Sequence, residues 1–78
     1  MREKKTYLVV TFATTSAAIA MERACGAAGL AGRLIPVPRE LTADCGMAWR
    51  AAPEAEAALR ALAEREKLET DGWHAVRI

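Results

Sequence analysis

Positions 7–12 are β-branched, aromatic or apolar at every residue, a composition that predicts a buried central strand. Thr14, Thr15 and Ser16 follow, each with a hydroxyl able to cap a helix. Ala17, Met21, Ala24 and Ala28 then recur at helical spacing through 16–28, and Gly29 stands where a helix usually ends. Residues 33–37 read as a second strand. Pro36 and Pro38 cannot donate to a ladder, so that strand belongs at a sheet edge. The polar stretch 39–45 reads as a loop and 46–52 as a third strand. Pro53, with Glu54 and Glu56 behind it, opens a second helix predicted to run to about Leu68. The apolar stripe of that helix is Ala55, Ala58, Leu59, Leu62 and Ala63, and Glu56, Arg60 and Glu64 form an i, i+4 charge ladder on its wet face. Asp71-Gly72 supplies a turn into a last strand over 73–78.

The order is therefore βαββαβ. With right-handed crossovers, two split β-α-β units give the ferredoxin-like α/β arrangement, an α+β sandwich with a four-stranded antiparallel sheet and both helices on one face. The second and fourth strands fall at the edges, as the prolines require. The other sheet face is left bare, and this face or an edge strand could pair with a second copy of the chain.

Seventy-eight residues make one domain, with its core over 7–78, and a core of this size gives marginal stability that a partner or second copy would reinforce. Eleven Lys and Arg against ten Asp and Glu leave almost no net charge, which argues against nucleic-acid or membrane-surface partners. The N-terminal segment imitates a signal peptide, with Arg2, Lys4 and Lys5 before an apolar run and Ala18-Ile19-Ala20 as a cleavage-like triplet. Thr14-Thr15-Ser16 interrupts that run, and no apolar stretch reaches the roughly 18 residues of a membrane span. The expectation is a soluble cytoplasmic protein.

Two cysteines twenty residues apart and a single histidine offer no zinc-site or C-x-x-C spacing, so neither a metal nor any other cofactor is expected. Cys25 shares a packed helix face with Met21, Ala24 and Ala28 and reads as inert. Cys45 differs. In this topology the loop after the first strand and the hairpin between the second and third lie at the same end of the sheet, bringing Thr14 and Thr15 near 42–46. A thiol reacts as thiolate, which a helix N-terminus and cations favour; the start of the first helix, Arg39 and Arg50 are the activators on offer, with Asp44 opposing them. Gly46 lets the backbone open into an anion-holding nest. The residues alone leave a second reading open, a small half-buried cysteine at a strand start. Arg33, Arg39 and Arg50 suit an anion, or simply keep a surface wet. His74 reads as a satisfied edge residue, and Trp49 as a packing residue close enough in sequence to cover Cys45.

The stretches Thr11-Phe12-Ala13-Thr14-Thr15, Gly32-Arg33-Leu34-Ile35-Pro36-Val37-Pro38-Arg39-Glu40-Leu41 and Asp44-Cys45-Gly46-Met47-Ala48-Trp49-Arg50 resemble the Se/S carrier protein-like family, short bacterial and archaeal domains that accompany selenium and sulfur metabolism. The resemblance spans roughly residues 7–76. It implies that Cys45 holds sulfane sulfur or selenium as a persulfide or selenosulfide, that Gly46 shapes its loop, and that a donor enzyme and an acceptor protein are the partners. Asp44 departs from the Ser or Gly expected before the family cysteine.

Three functions compete. One is a non-enzymatic carrier, which needs a partly exposed Cys45. The second is a ligand-binding or regulatory module using Arg33, Arg39 and Thr14, by analogy with small domains of this fold. The third is an assembly module using the bare face or the edges. An independent enzyme is disfavoured, because no carboxylate pair, second histidine or Gly-rich phosphate loop accompanies Cys45.

Overall fold

The computed structural model describes residues 3–78. Strand β1 (Thr6–Thr11) leads to helix α1 (Thr15–Ala28), then β2 (Arg33–Pro36), β3 (Met47–Ala51), a single 3-10 turn (Pro53–Ala55), α2 (Glu56–Arg65) and β4 (Gly72–Arg77). The sheet order is β2-β3-β1-β4, every neighbouring pair antiparallel, which is the ferredoxin-like sandwich with β2 and β4 at the edges.

Alternation along β1 divides the core. Leu8, Val10 and Phe12 face the helices, where they pack with Ala18, Met21 and Cys25 of α1 and Leu59 and Leu62 of α2. Val9 points the other way and is also fully buried, with Ala48 and Val76 beside it. The helix-free face is thus not bare at its centre. The connection over 37–46 folds back so that Val37 and Leu41 pack on these residues, as do Tyr7, Ile35 and Ile78.

Both helices end in the same way. Leu30 N–H donates to Cys25 and Gly29 N–H to Gly26, with Gly29 in the left-handed region, a Schellman motif. In α2, Leu68 N–H donates to Ala63 and Lys67 N–H to Glu64, and Lys67 takes the left-handed conformation at φ 54°. The predicted run to Leu68 is therefore too long: the helix stops at Arg65 because a lysine fills the position that glycine usually marks. Pro53 opens a 3-10 turn before α2 proper. Ala58, expected in the apolar stripe, is exposed, while Leu59 and Leu62 carry the burial. Of the charge ladder, Arg60 pairs with Glu56 at 2.8 Å and also lies over the Trp73 ring, 4.4 Å from its centroid.

Candidate functional site

Cys45 sits just ahead of β3, at the end of the sheet where α1 begins. Its N–H donates to Phe12 O at 3.3 Å, carrying the β1–β3 pairing beyond the strands, and Val37 N–H donates to Gly46 O at 2.9 Å on the other side. These two bonds hold the last turn of the loop between β2 and β3. The Cys45 sulfur accepts from Met47 N–H at 3.4 Å and lies 3.9 Å from the Thr15 hydroxyl. Thr14 makes the helix cap, its Oγ1 accepting from Ala17 N–H at 3.1 Å, which leaves Thr15 free to approach the sulfur.

The expected convergence of the α1 N-terminus with the Cys45 loop is therefore present, but several features expected with it are not. Cys45 is only 4% exposed and belongs to the helix-side core; a strand-start position whose amide completes the ladder draws its side chain inward. Arg50 is not at the site. Its guanidinium stacks over Tyr7, 4.5 Å from the ring centroid, near the start of β1, whereas Cys45 meets the residue just past the strand's end, roughly 17 Å away along the strand. Arg33 is exposed and stands opposite Arg50, so it too lies toward that far end. Arg39 is exposed in a turn closed by Leu41 N–H to Pro38 O.

No left-handed residue occurs between Gly32 and Lys67, so Gly46 does not form an αR–αL nest, and a Cβ there would meet nothing within 4 Å. A single N–H, that of Met47, reaches the sulfur instead. Trp49 does not cover the thiol either. Its indole lies against Gly32, where a Cβ would come within 2.5 Å of the ring, and its buried Nε1 has no partner among the described residues.

Sequence reasoning missed Met47 as the donor to sulfur, a backbone role that no side-chain pattern reveals. It also missed a polar cluster on the opposite sheet face at the same end. The fully buried Thr11 hydroxyl donates to Asp71 at 3.3 Å and lies 3.4 Å from His74 Nε2. A threonine inside an otherwise apolar strand was the available signal, and its partners became visible only with the β1–β4 register.

Cys25 is fully buried, and its thiol donates to Met21 Sδ at 3.7 Å. Burial pushes its pKa above the ordinary thiol value of 9.0. Both cysteines are free. Among the described residues no group of three His, Cys, Asp or Glu side chains could hold a metal ion, and no helix is long and apolar enough to cross a membrane.

The family described as Putative Se/S carrier protein-like matches residues 7–75. The chain belongs to this family. The match takes in both cysteines, all four strands but for the ends of β1 and β4, and the whole Cys45 loop. No curated protein and no solved structure matches the chain. Within the family frame the site is a thiol between a loop and a helix start, with one N–H and one hydroxyl directed at it.

Proposed function

We propose that this protein is a non-enzymatic carrier of sulfane sulfur or selenium in the reducing cytoplasm of a prokaryotic cell, with Cys45 as the loaded residue. The observation that supports it most is the setting of the sulfur within a family of carrier-like domains: of the two thiols, only Cys45 lies on a loop beside a helix start, with Met47 N–H and the Thr15 hydroxyl as polar partners. In loading, the Cys45 thiolate attacks the outer sulfur of a donor enzyme's persulfide. A new S–S bond forms, the donor's S–S bond breaks, and the donor cysteine leaves as thiolate. Delivery is the same exchange with the acceptor's thiolate as nucleophile, so no outside oxidant or reductant enters. Selenium travels equivalently as a selenosulfide.

At 4% exposure the sulfur must come outward before a partner can reach it. The loop over 39–46 is the segment that would move, since Cys45 N–H to Phe12 and Val37 N–H to Gly46 are the backbone bonds that pin its end. A groove of about 560 Å³ between α1 and the segment after α2 starts at Ser16, one residue past Thr15, and includes Ile19, which is 40% exposed, giving a docking partner an apolar foothold on α1.

Intact-protein mass spectrometry after incubation with a cysteine desulfurase and cysteine tests the reading. The expected result is a gain of one sulfur atom that is reversed by dithiothreitol, lost in Cys45→Ser and kept in Cys25→Ser. Loading that survives in Cys45→Ser, or never occurs in the wild type, overturns it.

A further inference from the structure

A second site lies on the helix-free face of the sheet, whereas the Cys45 sulfur belongs to the helix-side core; its lining runs from Lys5, Tyr7 and Arg50 to Pro38 and Glu40 of the connection after β2. A cavity of about 630 Å³ opens there, within the size range of small-molecule pockets, with Tyr7, Ile35, Pro38 and Ile78 among its apolar walls. Arg50 forms part of the lining. Its guanidinium carbon lies over the Tyr7 ring, 4.5 Å from the centroid, a cation–π contact that anchors the side chain without using its N–H donors. Among the described residues no carboxylate pairs with it: the ion pairs are Arg60 with Glu56 and Arg65 with Glu66, both on or just after α2.

Arg33 stands directly opposite Arg50 across β2 and β3, and residues paired in this way share a face. Two unpaired like charges facing each other are unfavourable on a sheet, and an anion between them turns that repulsion into two attractions. The lining sets how much charge the site accepts. Lys5 and Arg50 are offset by Glu3 and Glu40, so the lining itself is neutral, and Arg33, outside the lining but opposite Arg50 on the same face, adds one positive charge. That balance suits a single negative charge on an apolar body and disfavours a phosphate dianion.

We infer that this cavity binds a small monocarboxylate, its carboxylate on the edge of Arg50 with Arg33 close by and its apolar part against Ile35 and Ile78.

The test is an NMR titration of the full chain with octanoate, using octanol and octyl phosphate as comparisons. Octanoate is expected to bind saturably and shift Tyr7, Ile35, Arg50 and Ile78, while octanol binds about tenfold more weakly for want of the charge-assisted hydrogen bonds. Arg50→Gln should weaken octanoate by a similar factor. Arg33→Gln, which leaves the Tyr7 stack intact, should weaken it less while preserving the native spectrum. Absence of saturation, shifts that map to the groove between the helices, equal affinity for octanol, or full affinity in both arginine variants each overturn the assignment. Tighter binding of octyl phosphate than of octanoate overturns the single-charge argument.

Discussion

Cys25 and Cys45 are both buried and both free, and they sit in the same helix-side core. Their backbones differ. Cys25 is three residues from the end of a fourteen-residue helix, its sulfur against Met21 Sδ, and nothing short of losing α1 exposes it. Cys45 hangs on an irregular connection whose end is pinned by two backbone bonds, and its sulfur already has an N–H and a hydroxyl beside it. A thiol's availability is therefore set less by its static exposure than by the free energy of the smallest opening that frees it.

The largest expected effect follows from that difference. A loop opening that costs some 2–3 kcal/mol less than global unfolding makes Cys45 react on the order of 100-fold faster than Cys25 with N-ethylmaleimide. Denaturant sharpens the contrast. The Cys25 rate should climb with the full unfolding slope, whereas the Cys45 rate should scarcely respond at low denaturant, because a local opening exposes little surface. Peptide-resolved mass spectrometry of the alkylated protein measures both rates. Equal rates with equal slopes would mean that the two thiols share one cooperative unit, and the comparison would collapse.

The sheet and the burial of Cys25 were legible from the residues because their causes are local and repetitive. Prolines at 36 and 38 forced β2 to an edge, and the spacing of Met21 and Cys25 placed both on the buried face of α1. What escaped depended on contacts distant in sequence or on backbone alone. Lys67 in a left-handed conformation ended α2 with no glycine to announce it. Val37 and Leu41 covered a sheet face that topology alone leaves open. Arg50 is five residues from Cys45 in sequence, yet β3 carries it to the other end of the sheet and Tyr7 holds it there. Proximity along a strand is distance in space, and for that reason Arg50 separates from the thiol it was expected to activate.

An intermediate effect concerns Cys25 and pH. Its folded pKa is raised above 9.0 by burial, so the folded state holds the proton more tightly than the unfolded state. Its contribution to stability is complete below the unfolded value and is lost as pH rises through the folded one, with a slope of at most about 1.4 kcal/mol per pH unit. Thermal melts of wild type and Cys25→Ala from neutral to alkaline pH should differ by a constant offset of about 1 kcal/mol for the lost packing. Above pH 9.0 the gap should narrow as the wild type alone pays this penalty. Curves that stay parallel would show that burial of Cys25 carries no such linkage.

The smallest effect tests the polar side of the comparison. Thr15 approaches the Cys45 sulfur at 3.9 Å, a long contact, and the helix cap belongs to Thr14, so Thr15→Val removes the hydroxyl without removing the cap. Thr15 is exposed, and valine changes the helix preference little, so the melting curve should stay close to that of the wild type. Loss of one weak sulfur partner, with Met47 N–H still in place, should slow alkylation of Cys45 by a few-fold. Ser at the same position keeps a hydroxyl and should restore most of the rate. A valine variant slowed as much as the difference between the two thiols would make the hydroxyl, and not the opening of the loop, the feature that separates Cys45 from Cys25.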